Sequence, residues 1–391
     1  MRQLHLMAST DPKSGGPVEV LLTTARVMHE RGHTIEVASL DDPNAPWLAT
    51  FPLKIHPLGP GTRPFAFSRR FVPWLRRKAT DYDVAIVHGL WNFSSAGGWL
   101  GLGKSRLPYL VFAHGMLDPW FRKAYPLKHV FKQIYWSALE GRVLRDAEGV
   151  LFTADDELAL ARTSFRGHAY NGVTIRLGTA DAPSNVENQV RSFYSSCPHL
   201  DGRPFLLFLS RIHPKKGCDL LIDAFSRIAG STNFELVIAG PDQIGWRSSL
   251  EERARRLGIS HRVHWAGMLT GDIKWGALRA ARALVLPSHQ ENFGVVVAEA
   301  MACSLPVLIT NKVNIWREVQ RCGGGLVSDD TDEGIFNLLH EFSALDGETL
   351  QAMRNSARNG FLKYFDIQST TNDFEAACAA AASLQLRVAT R

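Results

Sequence analysis

The sequence predicts an α/β protein made of two doubly wound domains that face each other across a cleft. Its 391 residues are too many for one ordinary core and, at about 150 residues per domain, fit two to three domains. Short β-branched and leucine-rich runs alternate with amphipathic stretches along the whole chain, which is typical of mostly parallel sheets covered by helices. A polar stretch at 181–202 separates two such series and is predicted to contain the linker.

The first domain is predicted over residues 1–182. Its strands are expected at 4–7, 34–38, 84–88, 109–114 and 150–153. A helix is expected over 18–31, because apolar side chains recur there near helical spacing and Gly32 follows as a stop signal. An alanine-rich helix over about 368–391 is expected to pack back on this domain.

The second domain is predicted over residues 183–367. Its strands are expected at 205–209, 236–239, 263–266, 284–286, 307–309 and 326–327. Helices are expected between them, for example at 219–228 and 294–302. Ligands of such folds bind beyond the carboxyl ends of the strands, so the loops that follow the strands are where functional residues are sought.

Composition favours a folded cytoplasmic protein. Hydrophobic residues make up 45% and charged residues 21%, which excludes a disordered or collagen-like chain. No run of about 18 apolar residues predicts a membrane span, and the N-terminus becomes polar too early for a signal peptide. Five cysteines without CxxC spacing are typical of a reducing compartment.

The positive charge belongs to the first half of the chain. Residues 1–180 hold 22 Lys and Arg against 15 Asp and Glu, whereas the remainder holds 22 against 23. A basic half is compatible with nucleic acid, with an anionic membrane surface or with an anionic substrate. The charge alone does not choose between them.

One phosphate-binding pattern is misleading. Residues 98–105 match the P-loop expression letter for letter. A P-loop must follow a strand and open a helix, so that backbone N–H groups face the phosphate. Here a predicted helix or loop precedes the pattern and a strand follows it, so no site of NTP hydrolysis is predicted.

Gly15 and Gly16 lie between the first predicted strand and the first predicted helix. Glycines there would let a phosphate or a sugar approach the backbone at the positive end of the helix dipole. The GxGxxG pattern of an ordinary dinucleotide site is missing. A plain tight turn explains the pair equally well.

Two cations follow the strand at 205–209. Arg211 and Lys216 lie in a short loop before a helix, and two fixed cations at a strand end suit a diphosphate, both when it is bound and when it departs. The alternative is a solvated basic loop.

Two carboxylates flank the start of the helix at 294–302. Glu291 lies in the loop before it, and Glu299 lies eight residues further on. Such a pair can accept hydrogen bonds from the vicinal hydroxyls of a hexose and of a ribose, while the amides of Asn292, Phe293 and Gly294 meet anionic oxygen. Taken singly, two such glutamates would be solvated partners of the helix dipole.

At this segment the sequence resembles the family-4 retaining glycosyltransferases of GT-B fold, which consist of two facing Rossmann-like domains. The resemblance covers most of the chain, and its motifs are jointly specific, although none decides the sugar. It rests on Glu291-x7-Glu299 after Pro287-Ser288, on Gly294 with the run 300–307, and on Gly15-Gly16, Arg211, Lys216-Gly217, Ala239-Gly240-Pro241 and Gly267.

The resemblance implies a role for each matching residue. The donor diphosphate would be bound by Arg211 and Lys216, with Gly16 approaching it or the sugar from the first domain. The ribose hydroxyls would bind Glu299, and the donor sugar would bind Glu291 and the amides of 292–294. Further donor contacts would come from Gly15, Gly240, Met268 and Leu269, the last two near the base.

His114 ends the strand predicted at 109–114. A lone histidine there is by default a structural residue, but the resembled family places a histidine at this point, against the transferring sugar. The following residues are expected on the acceptor side: Asp118, Trp120, Phe121, Arg122 and Lys123. His88 is a weaker acceptor-site candidate.

No metal ion and no cofactor beyond the nucleotide-sugar donor are expected. The two DxD spellings, 81–83 and 330–332, open a strand and lie in a polar loop, which does not suit a metal-diphosphate clamp. The resemblance implies that Arg and Lys perform this electrostatic task instead.

Two stretches, 64–78 and 121–136, interleave aromatic residues with cations. That pattern suits peripheral contact with an anionic membrane or a lipid-linked acceptor, RNA stacking, or ordinary amphipathic helices with solvated cations. The first is favoured over RNA, because no RNA-binding motif is present.

The predicted activity is therefore retaining, metal-independent transfer of a hexose from a nucleotide diphosphate sugar. UDP-glucose is favoured over GDP-mannose, and the acceptor would be a hydroxyl of a glycan or lipid-linked saccharide in polysaccharide biosynthesis, at the cytoplasmic face of the membrane. The alternatives are a sugar-nucleotide epimerase of similar fold and a non-enzymatic sugar-nucleotide-binding module. Nucleic acid is not expected as a partner.

Overall fold

The computed structural model describes residues 1–12, 16–63, 65–103, 105–119, 122, 125–200 and 202–389. The chain divides into two compact units. The first comprises Met1–Leu177 with Thr370–Arg391, and the second comprises Gly178–Ser369. Each contains one parallel sheet, so the predicted α/β class with two doubly wound domains is confirmed.

The first unit contains a seven-stranded parallel sheet in the order β3-β2-β1-β4-β5-β6-β7. The strands are β1 Arg2–Met7, β2 Thr34–Ser39, β3 Lys54–Pro57, β4 Val84–His88, β5 Tyr109–Phe112, β6 Gly149–Phe152 and β7 Gly172–Thr174. The helices are Gly16–Glu30, Phe71–Lys78, Phe93–Leu102, Pro126–Tyr135, Trp136–Glu140, Gly141–Arg145, Asp155–Ala161 and Ile367–Ala389, with single turns at Pro46–Thr50 and Ala79–Asp81.

The two outermost strands of this sheet, β3 and β7, were not predicted. Both are short and partly exposed, so neither presents the apolar run that indicates a buried strand. The central strands β4, β5 and β6 are buried along their whole length, which is why their apolar runs are visible in the sequence.

The second unit contains a six-stranded parallel sheet in the order β10-β9-β8-β11-β12-β13. The strands are β8 Phe205–Leu209, β9 Glu235–Ala239, β10 Val263–Gly267, β11 Ala283–Leu286, β12 Val307–Thr310 and β13 Gly325–Ser328. The helices are Val186–Ser196, Cys218–Ile228, Arg247–Arg256, Gly271–Ala280, Val295–Ala302, Trp316–Cys322, Asp332–Ser343, Gly347–Gly360 and Phe361–Phe365, with single turns at Pro198–Leu200, Pro214–Lys216 and Ser260–Arg262. All six predicted strands are present.

The polar stretch at 181–202 is largely helix rather than linker. Its helix Val186–Ser196 packs so closely on Gly271–Ala280 that a Cβ atom on Gly276 would lie 1.9 Å from the backbone oxygen of Gln189. Gln189 is buried and accepts a hydrogen bond from Arg279 at 2.8 Å. The helix was not predicted from the sequence, because polar side chains occupy part of its buried face and interrupt the apolar periodicity.

The C-terminal helix Ile367–Ala389 is tied to the first unit by ion pairs. Asp373 binds Arg176 at 2.8 Å, and Glu375 binds Arg31 at 2.7 Å and His33 at 2.9 Å. These contacts fix the helix against strands and helices that come more than 190 residues earlier in the chain.

The pattern at 98–105 belongs to the helix Phe93–Leu102 and the turn after it, followed by β5. A Cβ atom on Gly101 would lie 2.8 Å from Leu75, so this glycine serves helix packing. The helix comes first and the strand follows the pattern, as predicted, which is the reverse of the order in a P-loop. Lys104 lies outside the described residues.

Candidate active site

The strand order of the second sheet reverses between β8 and β11, which are neighbours and parallel. Loops that leave the carboxyl ends of two such strands run in opposite directions and leave a crevice for ligands. Arg211 and Lys216 follow β8, and Glu291 follows β11. The predicted donor residues therefore come from the two loops at this switch point.

A glycine brings these two loops into contact. Gly217 has a φ of +67°, and a Cβ atom on it would lie 2.1 Å from the carbonyl oxygen of Pro287. Only glycine accepts both the left-handed conformation and this close approach. The preceding turn, Pro214–Lys216, is thereby held against the loop after β11, and the Lys216 side chain is buried.

The loop after β11 is fixed by backbone hydrogen bonds on two sides. The His289 amide donates to the Lys215 carbonyl at 2.9 Å. The Glu291 amide donates to the Lys312 carbonyl at 2.9 Å, and the Asn314 amide donates to the Glu291 carbonyl at 3.1 Å. Glu291 is therefore held between the loops that follow β8 and β12, so its position is set by three strands.

Lys216 and Glu291 form an ion pair between Nζ and Oε2. The other carboxylate oxygen of Glu291 accepts a hydrogen bond from the amide of Asn292 at 3.1 Å. Gly294 follows with a φ of +70° and precedes the helix Val295–Ala302, as the predicted helix start requires. Phe293 is buried, so only its backbone is available to a ligand there.

Arg211 is exposed and makes no hydrogen bond or ion pair with any described residue. Its neighbour His213 accepts a hydrogen bond from the Lys215 amide at 3.1 Å. Burial lowers the pKa of His213, and the nearby charges of Arg211, Lys215 and Lys216 lower it further. The turn after β8 therefore concentrates positive charge at the switch point, which suits an anionic ligand.

Glu299 lies in the second turn of the helix Val295–Ala302 and binds Lys274 through Oε1 at 2.6 Å. Lys274 comes from the helix Gly271–Ala280, after β10. Lys274 was not predicted, because a lysine in a helix gives no signal in the sequence until the fold places it beside a carboxylate. Each glutamate of the predicted pair thus has its own lysine.

The glycines at the ends of β9 and β10 are joined, since the Gly240 amide donates to the Gly267 carbonyl at 2.7 Å. A Cβ atom on Gly240 would lie 1.8 Å from the Ser210 carbonyl oxygen, so glycine is required for β8 and β9 to end side by side. Met268 follows with 70% of its surface exposed, while Leu269 is buried. Of the two residues expected near the base, only Met268 presents its side chain.

His114 lies in the first unit, two residues beyond the end of β5, so the predicted strand 109–114 is too long. It adopts a left-handed φ of +49°, unusual for a non-glycine residue and frequent at functional sites. Its Nε2 lies 2.9 Å from Nδ1 of His88, and its ring stacks on Phe112 at 4.1 Å. The Gly115 amide donates to the buried carboxylate of Glu157 at 2.9 Å, which anchors this turn.

Some of the other residues predicted for the site in the first unit are described by the structure, and others lie outside the described residues. Gly16 begins the helix Gly16–Glu30, and a Cβ atom on it would contact nothing within 4 Å. Gly15 and the acceptor-side candidates Trp120, Phe121 and Lys123 lie outside the described residues. The remaining two candidates, Asp118 and Arg122, line a pocket together with basic and aromatic side chains that were not singled out: Lys128, His129, Lys132 and Phe165.

The DxD carboxylates have partners within the protein. Asp81 binds Lys78 at 2.9 Å, and Asp83 accepts a hydrogen bond from the Arg2 amide at 2.7 Å. Asp330 binds His289 at 2.9 Å. Within the described part of the chain, no group of three or more His, Cys, Asp or Glu side chains is arranged to hold a metal ion. None of the helices described is both long and apolar enough to cross a bilayer.

Comparison with known proteins identifies both halves of the chain. Residues 15–178 match the glycosyl transferase 4-like domain, and residues 196–360 match the glycosyl transferases of group 1. Together these two matches span most of the chain.

Curated relatives match a shorter part. An uncharacterised glycosyltransferase of Methanocaldococcus jannaschii is 36% identical over 111 residues, which cover 28% of each chain. A D-inositol 3-phosphate glycosyltransferase of Acidothermus cellulolyticus is 32% identical over 136 residues, covering 32% of this chain and 30% of that protein. A mannosylfructose-phosphate synthase of Agrobacterium fabrum is 30% identical over 135 residues, covering 33% and 30%. The chain thus spans less than a third of the length of these relatives.

Solved structures match over the whole fold. Anabaena HepE in complex with UDP and glucose has a TM-score of 0.76 at 17% identity, over 97% of this chain and 100% of that one. A sucrose-phosphate synthase of Thermosynechococcus elongatus has a TM-score of 0.74 at 18% identity, over 100% of both chains. At such identities the likeness establishes the fold alone, which is GT-B. With that fold and the two family matches, the chain belongs to the group 1, GT4-type glycosyltransferases.

Proposed function

We propose that the protein transfers a hexose, with retention of the anomeric configuration, from a nucleotide diphosphate sugar to a hydroxyl of a glycan or lipid-linked saccharide in polysaccharide biosynthesis. UDP-glucose is favoured over GDP-mannose as the donor. The observation that carries the proposal is the ion pair between Lys216 and Glu291, placed beside the exposed Arg211 at the switch point of the second sheet.

The two cations suit the diphosphate of the donor. A lysine ammonium has three N–H donors, so Lys216 can keep Glu291 and still bind a phosphate oxygen. Arg211 offers a planar fork of N–H groups that matches phosphate oxygens. As the bond to the sugar breaks, negative charge grows on the departing diphosphate, and fixed cations stabilise that charge most when water is excluded. We propose that these two cations, rather than a metal ion, stabilise the departing diphosphate.

The two carboxylates suit the hydroxyl groups of the donor. The backbone of Glu291 is bonded to Lys312 and Asn314 in the loop after β12. Its carboxylate is held by Lys216 and by the amide of Asn292, so it is preorganised to accept from the hydroxyls of the transferred sugar. Glu299, held by Lys274, is proposed to accept from the ribose. Met268, exposed after β10, is proposed to cover the base. The role of His114 against a sugar stays a prediction from the family resemblance.

The relatives support the choice of donor. HepE structures contain UDP, UDP with glucose, and UDP-glucose, which makes a uridine donor the first to test. The decisive assay measures UDP release from UDP-glucose with and without a mixture of saccharide and lipid-linked acceptors, in the presence of EDTA. NMR of the product then gives the anomeric configuration. Conversion of UDP-glucose to another UDP-sugar without acceptor would favour an epimerase, and tight UDP binding without any turnover would favour a binding module.

A peripheral membrane contact is proposed for the helix Pro126–Tyr135. Its exposed apolar side chains are spaced so that they share one face, and Leu127 is 79% and Phe131 73% exposed. The complete face comprises Leu127, Val130, Phe131 and Ile134. Lys128 on the same helix is exposed, whereas the ammonium of Lys132 lies over the ring of Trp91 at 4.6 Å. An anionic bilayer would therefore meet the apolar face together with the charge of Lys128.

Co-sedimentation with vesicles tests this contact. Phe131→Ser is expected to weaken binding to vesicles of anionic phospholipid, whereas Ile244→Ser, a matched change at an exposed isoleucine of the second unit, should leave it unchanged. No binding to anionic vesicles, or equal loss in both variants, would exclude the contact. Equal binding to neutral and anionic vesicles would exclude a contribution of the lysine charge.

A further inference from the structure

Three histidines from adjacent strands of the first sheet form one hydrogen-bonded chain. His5 lies within β1, His88 ends β4 and His114 follows β5. Nδ1 of His5 lies 2.8 Å from Nε2 of His88, and Nδ1 of His88 lies 2.9 Å from Nε2 of His114. The ring planes are inclined by 24° and 18° to one another, with centroids 5.0 Å and 5.2 Å apart, so the rings meet edge to edge. Because β1, β4 and β5 are neighbours in the sheet, the chain crosses three strands in one line.

The far end of the chain is set by a side chain that cannot titrate. Nε2 of His5 lies 3.4 Å from Oε1 of Gln3, which is fully buried. In the orientation that the structure gives the Gln3 amide, its oxygen faces His5 and its nitrogen has no partner among the described residues. An amide oxygen only accepts a hydrogen bond, so in this orientation Nε2 of His5 carries the hydrogen and its Nδ1 carries the lone pair. His88 must then donate from Nε2 to His5 and accept at Nδ1 from Nε2 of His114. Every ring is fixed in the same tautomer, and Nδ1 of His114, which has no hydrogen bond to a described residue, carries a lone pair.

We propose that His88 and His5, with Gln3 at their end, are positioning residues that hold the His114 ring in its Nε2–H tautomer and present Nδ1 as a hydrogen-bond acceptor to a sugar hydroxyl. This inference rests on the proposed transfer activity. His88 was considered a weaker candidate for contact with the acceptor. Both of its ring nitrogens are hydrogen-bonded within the chain of histidines and its side chain is buried, so we assign it a positioning role instead.

The surroundings support a neutral chain rather than a proton wire. Burial is the first cause that lowers the pKa of all three histidines, and the neighbouring His88 lowers the pKa of His5 and His114 further. A chain that ends on a buried amide has no group to take up or release a proton. What it supplies is orientation, because a ring with a fixed hydrogen bond presents its other nitrogen in one direction.

The test combines histidine NMR with kinetics. In protein with ¹⁵N-labelled histidine, the nitrogen shifts should show all three rings as neutral Nε2–H tautomers at neutral pH. His88→Leu removes the acceptor for His114, so the tautomer of His114 should become mixed and kcat/KM should fall by about ten- to a hundredfold. His88→Gln keeps one acceptor and one donor, so it should restore the single tautomer and most of the activity.

The outcomes separate this inference from the proposed function. The free energy of unfolding in urea and the amide NMR spectrum serve as the check that the first unit of each variant is folded. An Nδ1–H tautomer or a charged ring at His114 in the wild-type protein would overturn the inference whatever the activity. Equal kinetic loss in His88→Leu and His88→Gln, with His114 unchanged in its nitrogen shifts, would also overturn it. Absence of any transfer by the wild type, with the expected tautomers present, would overturn the proposed function and leave the histidine chain established.

Discussion

The ammonium of Lys216 and the carboxylate of Glu291 form an ion pair although 75 positions separate them in the chain. One follows β8 and the other follows β11, the two strands between which the order of the second sheet reverses. The pair therefore joins the two loops that a ligand at the switch point would touch first. A polar pair that lies at such a crevice and is fixed by backbone hydrogen bonds is better placed for binding than for stability.

Replacing Lys216 by methionine should lower turnover by about ten- to a thousandfold, because the departing diphosphate loses one fixed charge. Lys215→Met is the matched control, since Lys215 lies in the same turn and adds to its positive charge, whereas the ion pair with Glu291 belongs to Lys216. Its turnover should stay within about twofold of the wild type. Initial rates of UDP release measure both variants, and equal rates in Lys216→Met and wild type would remove Lys216 from the site.

Glu299 should discriminate between ribose and deoxyribose. The wild type is expected to bind UDP more tightly than 2′-deoxy-UDP by about tenfold or more, the value of a hydrogen bond to a charged group. Glu299→Gln should reduce that ratio toward one. Lys274→Met should weaken UDP binding as well, because Lys274 holds the carboxylate at 2.6 Å. Calorimetry with the two nucleotides provides the ratio, and a ratio unchanged in Glu299→Gln would assign the ribose elsewhere.

Gly217→Ala should be more damaging than an alanine at another left-handed glycine. At Gly245, where φ is +71° and no atom lies within 4 Å of an added Cβ, only backbone strain of about 1–2 kcal/mol is expected. At Gly217 the added Cβ also meets the Pro287 carbonyl oxygen, which adds about 1–3 kcal/mol and displaces Lys216. Urea denaturation should show the larger loss, and UDP release should fall in Gly217→Ala alone. Similar losses in both variants would contradict a role for the close approach.

The buried histidines should make the first unit sensitive to acid. Burial lowers the pKa of His88 from 6.5 to about 3, so between these values the unfolded chain binds a proton that the folded chain does not. Above pH 6.5 neither state binds this proton, so His88 has no effect on stability there. Below pH 6.5 the free energy of unfolding should fall by about 1.4 kcal/mol per pH unit because of His88. Urea denaturation at pH 7.5, 6.5 and 5.5 measures this slope. The free energy of unfolding of His88→Gln should depend less steeply on pH. A slope equal to that of the wild type would show that the pKa of His88 does not differ between the folded and unfolded states.

Much of the candidate donor site could be predicted from the sequence because its residues follow buried strands. The apolar runs of β8 and β11 located the loops, and the glycines at 217, 240 and 294 were part of the family resemblance. In the structure these glycines have positive φ values, and Gly217 and Gly240 are closely packed. Lys274 was not visible, because nothing in its own helix distinguishes it from a solvated lysine. The partners of His114 were hidden for the same reason: β1 and β4 are far apart from β5 in the chain and become neighbours only in the sheet.

The most direct measurement of the central claim is calorimetric binding of UDP, GDP and uridine to the wild type and to Lys216→Met. We expect UDP to bind the wild type at least about tenfold more tightly than uridine, since charge-assisted hydrogen bonds to the diphosphate are worth about 1.5–3 kcal/mol each. UDP should also bind more tightly than GDP, and Lys216→Met should remove most of the advantage of UDP over uridine. If UDP and GDP bind no more tightly than uridine, or if Lys216→Met binds UDP as the wild type does, the switch point of the second sheet is not the donor diphosphate site.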